Sequence, residues 1–325
     1  MTSEAILDNL DTQSLRIGDN LMHEIGFFIG NVDEIRVWNR ELRSSEVSDA
    51  FKNKVFTING QIAYLSFDPD IGGDKIENDK DSVVNEDCLL PVQRPAGVIV
   101  PLYTYPQMWI SGNAWEQLAN IAKGHPDSKI VAIINPNSGP GTLRNTDYAT
   151  GIKMLKDAGI TVVGYTYTQY GQRPISEIHI DIDKYQSFYS DEDGVTGILF
   201  DEMSNHPGKE SYYKSLSNYA KSKGAILTIG NPGTSTTESY IGTVDTITIY
   251  EGKGLPSIDL LNDRTFAGKY DKRNFNYVAY GVPSLDIAAT KSTASYVGWS
   301  YVTNNNLPNP WDTLPSYLEQ LISTL

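Results

Sequence analysis

Two carboxylates stand side by side at Asp201 and Glu202, directly after the apolar run Gly197-Ile198-Leu199-Phe200. A third, Glu251, follows the apolar stretch Thr246-Ile247-Thr248-Ile249-Tyr250. Charges at the end of apolar strands are costly to bury and point to a wet cleft. In parallel α/β folds that cleft lies at the carboxyl ends of the strands. Carboxyl groups gathered there can do acid/base work. One negative group beside another raises a pKa, which turns a carboxyl into a proton donor. Hydrolysis of a glycosidic bond needs this pairing, one carboxyl protonated and one ionised. The competing reading is structural: Asp201 caps the next helix, Glu202 is solvated, and Glu251 is a loop charge.

Strand parity sets a condition on the pair. Successive side chains of a regular strand point to opposite faces, so Asp201 and Glu202 both reach one cleft only if the chain leaves the strand at Glu202. The other strand ends supply companions. They are Tyr103 and Tyr105, Asn135 and Asn137, then Tyr165, Tyr167 and Tyr170. Asn231, Tyr250, Trp299 and Tyr301 complete the set. Acidic, aromatic and amide groups without a basic one suit a neutral polyhydroxy ligand: rings stack on C–H faces and amides bond hydroxyls. Tyr103, Asn135, Tyr165, Tyr167, Asn231, Tyr250, Trp299 and Tyr301 are therefore the expected sugar-binding residues, around Asp201, Glu202 and Glu251.

The elements that must position these groups repeat with a spacing of roughly 30 residues, apolar strand then amphipathic helix, which signals βα units and a parallel sheet. Strands are expected at 98–103, 130–135, 161–167, 195–200, 225–230, 246–250, 277–281 and 296–301. Helices are expected to begin near Asn113, Leu143, Ile175, Lys209, Thr237, Leu255 and Asp286, with a last one over 313–325. About eight such units in about 230 residues suit a closed (β/α)₈ TIM-type barrel. The first strand is followed by Tyr103-Thr104-Tyr105-Pro106 rather than a glycine-rich turn, which disfavours a dinucleotide site.

Bulk properties narrow the chemistry. The 325 residues carry a net charge of −14, which argues against nucleic acid and anionic membrane surfaces as partners. The 20 Tyr against 9 Phe favour surfaces that both stack and hydrogen-bond. Cys88 is the lone cysteine, so a disulfide framework and a thiolate metal cage are out. Four His without an H-E-x-x-H pattern disfavour a zinc site, and no cofactor or metal is expected in the site. The first residues have neither a basic stretch nor a long apolar run, so no signal peptide or membrane-inserting segment is expected within this sequence.

Ahead of the barrel, residues 1–68 read as a small all-β segment, with strands over 14–18, 27–38 and 61–67 and a short helix near Ser44. Residues 69–94 are rich in Asp, Glu, Asn, Gly and Lys and read as a linker, which leaves 95–325 for the barrel. Asp68-Pro69-Asp70-Ile71-Gly72-Gly73-Asp74, with Asp79, alternates oxygen donors as a calcium loop does; a solvated acidic linker is the alternative.

Two resemblances follow from longer runs. Leu15-Arg16-Ile17-Gly18, the run from Phe27 to Leu42 and Ala63-Tyr64-Leu65-Ser66-Phe67-Asp68 resemble the closing strands of a laminin-G-like, concanavalin-A-type jelly roll. That implies a carbohydrate-contacting accessory module, present as its last third, in a larger secreted protein. The second resemblance is carried by Val98-Ile99-Val100-Pro101-Leu102-Tyr103, the run from Ile133 to Gly141 and the run from Gly164 to Gly171. It continues through Gly197-Ile198-Leu199-Phe200-Asp201-Glu202, Gly230-Asn231-Pro232-Gly233 and Tyr250-Glu251. Together these resemble the spherulin-4 (spherulation-specific family 4) proteins, glycoside hydrolase family 135. The resemblance implies a (β/α)₈ barrel that hydrolyses α-1,4-linked galactosamine- or N-acetylgalactosamine-containing polysaccharide, outside the cell or at its surface. It also implies that Asp201, Glu202 and Glu251 are the catalytic acids. The rival from another class is a non-catalytic glycan-binding protein of the cell surface or matrix.

Overall fold

A computed structural model describes residues 34–38, 61–66, 96–189 and 194–325. The chain divides into two units, Met1–Pro91 and Val92–Leu325. In the first, β1 (Glu34–Trp38) pairs antiparallel with β2 (Gln61–Ser66). The other strands expected there, the short helix and the acidic stretch with its calcium-like spacing lie outside the described residues.

The second unit is a TIM-type α/β barrel. Its strands are β3 (Gly97–Leu102), β4 (Ile130–Ile134), β5 (Thr161–Tyr167) and β6 (Gly197–Asp201). They are followed by β7 (Leu227–Gly230), β8 (Thr246–Lys253), β9 (Phe275–Tyr280) and β10 (Trp299–Val302). All pairings are parallel, and β10 bonds both β9 and β3, so the sheet closes. These segments are apolar on both faces because both faces are covered. In β3, Val98, Val100 and Leu102 join the layer packed against the helices, while Ile99 joins a separate inner cluster with Val131, Ile133, Val163, Leu199 and Ile229. That inner cluster fills the lower barrel, and the cavity opens above it.

Helices follow most strands, each with a legible cause. In α1 (Ala114–Gly124), Trp115, Leu118, Ala119 and Ala122 fall at helical spacing and are buried, and the Asn113 side chain accepts hydrogen bonds from the Trp115 and Glu116 amides. Asn145 caps α2 (Thr146–Asp157) in the same way. Pro174 precedes α3 (Ile175–Phe188), and α4 (Glu210–Ser222) buries Tyr213, Leu216 and Ala220. The outer layer is completed by α5 (Ile258–Arg264), α6 (Ile287–Ala294) and α7 (Leu318–Thr324).

The helix expected near Thr237 is a correction. After β7 the chain makes only one 3₁₀ turn, Glu238–Tyr240. Pro232 and the β-branched Thr234, Thr236 and Thr237 disfavour a helix here, and Gly233 and Gly242 adopt φ of 66° and 82° on either side.

Candidate active site

Strand β6 ends at Asp201, and the next residue turns out of the ladder: Glu202 has φ 50°. A left-handed backbone at a glutamate is strained and persists only where its surroundings hold it. Here they do. The Glu202 carbonyl accepts from the Tyr170 amide at 2.8 Å and from the Thr168 hydroxyl at 2.7 Å. The following amide, of Met203, donates to the Asn231 carbonyl at 2.8 Å. The turn cancels strand parity, so Asp201 and Glu202 both line one cavity of about 340 Å³ at the carboxyl end of the barrel. Among the described residues, the Glu202 carboxylate makes no side-chain hydrogen bond.

Glu251 reaches the same cavity by another irregularity. The pairing of β8 with β9 shifts register between Thr248 and Tyr250. Thr248 faces the cavity, the bulge takes up one residue, and Glu251 faces it too, where strict alternation would send it outward.

Asn231, one residue past β7, ties the two strands together. Its Nδ2 donates to Asp201 Oδ1 at 3.0 Å and to Glu251 Oε2 at 3.0 Å. Its Oδ1 is held by the Gly233 amide at 2.9 Å, which fixes which end of the amide faces the carboxylates. The two accepting oxygens can therefore lie no further apart than twice 3.0 Å. Tyr165 donates to the other oxygen, Asp201 Oδ2, at 2.8 Å.

Burial is the main influence on both acids. It pushes Asp201 above the usual carboxylate range, against the opposing pull of the Tyr165 hydroxyl, the Glu202 amide and Asn231. Burial likewise raises Glu251; the Asn231 bond pulls it down, and the charge of Asp201 pushes it up further. Asp201 thus has three donors favouring its ionised form, and Glu251 has one donor and a negative neighbour.

Of the expected ligand-binding residues, Tyr103 and Asn231 stand in the cavity wall. Tyr165 reaches the site through Asp201, and its ring meets Tyr103 edge-on at 6.0 Å. Five others do not line the cavity. The Asn135 side chain accepts from the Gly139 amide and shapes its own loop. Tyr167 carries the Arg173 guanidinium over its ring at 4.3 Å. Tyr250, next to the bulge, turns its hydroxyl to the carbonyls of Lys253 and Gly254. Trp299 begins β10 rather than ending it, packs with the inner apolar cluster, and lies where a Cβ on Gly97 would collide with its ring. Tyr301 is 0% exposed, its ring 6.1 Å from Trp311, and it is Trp311 that lines the cavity.

Sequence reasoning missed several wall residues. Thr248 and Asn276 form a buried polar floor, with the Thr248 hydroxyl donating to Asn276 Oδ1 at 2.8 Å. Tyr280, Leu307 and Trp311 form the wall over β9 and β10. Tyr280 ends β9, so the strand-end rule could have found it; Leu307 and Trp311 sit in a loop with no periodicity to read. Among the described residues no cluster of His, Cys, Asp and Glu is arranged to hold a metal ion. No helix among them is long and apolar enough to cross a membrane.

The sequence model of the spherulation-specific family 4, Spherulin4, matches residues 97–325, the whole barrel with its three carboxylates. The chain belongs to this family. Spherulin-4 of Physarum polycephalum is 41% identical over 162 residues, which are 49% of this chain and 46% of that protein. The chain thus matches less than half the length of this curated relative. The crystal structure of Aspergillus clavatus Sph3 in complex with GalNAc superposes with a TM-score of 0.61 at 22% identity, over 71% of this chain and 98% of that one. At that identity the likeness is one of fold, and it takes in nearly the whole Sph3 chain.

Proposed function

We propose that this spherulin-4 barrel is a glycoside hydrolase that cuts within polysaccharide chains by carboxylate chemistry alone. The observation that carries the reading is the Asn231 amide, which bonds Asp201 and Glu251 at 3.0 Å each on the wall of one cavity. It holds two half-buried carboxyl groups close together in unlike environments, the arrangement that glycosidic cleavage requires. Carboxyl groups about 5–5.5 Å apart mark retaining enzymes, and about 6.5–9.5 Å marks inverting ones. The ceiling of twice 3.0 Å applies to one oxygen of each group and admits the retaining spacing, so retention of configuration is the proposed outcome.

In this mechanism Asp201, with three donors to its anionic form, is the nucleophile or the stabiliser of positive charge at the anomeric carbon. Glu251, raised by burial and by Asp201, protonates the glycosidic oxygen as the bond from C1 to that oxygen breaks. Asp201 then holds C1 covalently or as an ion pair. A water molecule gives its proton to Glu251 and adds to C1, which frees Asp201 and restores both protonation states. Glu202, open to the cavity, receives substrate hydroxyls, while Tyr103 and Trp311 offer ring surface to the sugars. An α-1,4-linked polysaccharide containing galactosamine or N-acetylgalactosamine is the proposed substrate. Family membership supports this, as does the GalNAc bound by Sph3. The proposed setting is the cell surface or extracellular space, by the same membership.

The deciding experiment incubates the wild-type barrel with amino-sugar polysaccharides and measures new reducing ends. Release of oligosaccharides, abolished in Asp201→Asn, supports the proposal. Binding to the polymer without any product would leave a glycan-binding protein instead.

A further inference from the structure

The loop after β3 presents apolar surface that the fold does not require. Trp109 is 68% exposed, and Ile110 and Tyr105 beside it are also exposed. The loop is nevertheless firmly built. The Asn113 side chain donates to the carbonyls of Gln107 and Ile110, and Trp115 Nε1 donates to the Thr104 carbonyl at 3.0 Å. Tyr105 donates to Asp147 Oδ2 at 2.6 Å, meets the Tyr148 ring edge-on, and holds the Trp109 ring at 6.1 Å. An indole that stands mostly in solvent on a well-bonded loop, with one neighbouring ring, exposes apolar area that a ligand can cover.

The barrel order says which ligand reaches it. Strand β3 is bonded to β10, so the loops that leave their carboxyl ends are neighbours at the mouth. The β10 loop carries Trp311 and Leu307; both line the cavity, and Leu307 is 66% exposed at its rim. In the closed ring, β10 and β3 stand across from β6 and β7, which bring Asp201 and Asn231. Tyr103 at the start of the β3 loop lines the cavity, so the loop that carries Tyr105 and Trp109 leaves directly from the cavity wall. A chain whose reacting sugar sits against the carboxylates crosses the mouth toward this side.

We infer that Trp109 and Tyr105 form an outlying subsite that grips a polysaccharide several sugar units from the bond being cut, making the enzyme selective for long chains. The inference rests on the proposed glycosidase reading and adds a specificity determinant to it. The ring faces take the C–H surfaces of successive sugars, and the rigid loop limits the entropy lost on binding.

The test compares full-length wild type, Trp109→Ala and Trp109→Phe on an α-1,4-linked galactosamine-containing polysaccharide and on its trisaccharide. The ratio of kcat/KM for polymer to that for trisaccharide falls about tenfold in Trp109→Ala and recovers in Trp109→Phe, as expected for lost and restored stacking. Retardation in a gel containing the polymer weakens in Trp109→Ala, and this readout needs no turnover. An unchanged ratio in an active Trp109→Ala overturns the subsite and leaves the glycosidase standing. A wild type that releases no product overturns the glycosidase, and the gel then decides the subsite: unaltered retardation, or none in wild type, removes it.

Discussion

The Tyr165 hydroxyl stands 2.8 Å from Asp201 Oδ2 and donates to it from the neighbouring strand. A donor to a carboxylate stabilises its ionised form and lowers its pKa, here against the upward push of burial. Removing the hydroxyl in Tyr165→Phe leaves burial less opposed, so the Asp201 pKa rises further. In the proposed mechanism Asp201 works ionised, so activity is lost from the acidic side. In Tyr165→Phe the acid limb of the pH–rate profile for kcat/KM moves to higher pH, and the value at the optimum falls by roughly 10-fold. A melting curve close to wild type would separate this electrostatic effect from damage to the fold.

In the proposed mechanism Asn231 is a positioning residue, and its loss acts on two acids at once. In Asn231→Ala both Asp201 and Glu251 lose a donor, both pKa values rise, and the bridge between the two is gone. Both limbs of the pH profile are expected to shift upward together, with kcat lower by roughly 10² to 10³. Tyr165→Phe, by contrast, moves the acid limb alone. A loss of activity without a shift in either limb would mean that Asn231 serves substrate binding instead.

Much of this arrangement was legible in the sequence, and the exceptions have particular causes. Short apolar runs bounded by Gly and polar residues marked all eight barrel strands, because strands buried on both faces leave that signature. Asp201, Glu202, Asn231 and Glu251 were readable as strand ends, since a parallel barrel gathers all such ends at one mouth. The parity condition on Glu202 was readable too, though not the backbone bonds from Thr168 and Tyr170 that satisfy it. Misreadings arose where one residue of register mattered. The bulge in β8 brings Glu251 to the cavity and turns Tyr250 away, and a bulge leaves no composition signal. Trp299 reads as a strand end in the sequence but is a strand start. Trp311 escaped because it lies in a loop beyond the last strand, where nothing local announces what it faces.

The raised acids also predict a dependence of stability on pH. A carboxyl whose folded pKa lies above its unfolded value binds more protons folded than unfolded, so stability falls as pH rises through that interval. Asp201 and Glu251 are both shifted upward by burial, so each ionised group weakens the fold at neutral pH. Asp201→Asn and Glu251→Gln are each expected to raise Tm at pH 7, by about 2–4 °C for each kcal/mol of strain relieved in a domain of this size. The gain should shrink as pH falls toward about 4, where the unfolded carboxyls also protonate. Thermal unfolding at pH 7 and pH 4 checks this. A loss of Tm at pH 7 would mean that the donors around these acids outweigh the cost of burying them.

Gly230 sits one residue before Asn231 for a steric reason. A Cβ there would collide with Met203 Sδ and come within 3.3 Å of Val244 Cγ2. Met203 is fully buried, so its thioether can yield only by repacking against its neighbours. Gly230→Ala is therefore an overpacking mutation costing about 1–3 kcal/mol. Unlike an ordinary core substitution, it should reduce kcat more than its Tm loss implies, because strain at residue 230 passes directly to Asn231, whose amide lies between Asp201 and Glu251. Met203→Ala alone opens a cavity and costs about 2–5 kcal/mol. The double variant Gly230→Ala/Met203→Ala lets the new methyl fill part of that space, so its destabilisation should be less than the two single losses combined. Strict additivity in the unfolding free energies would place the two side chains out of contact and remove this explanation for the glycine.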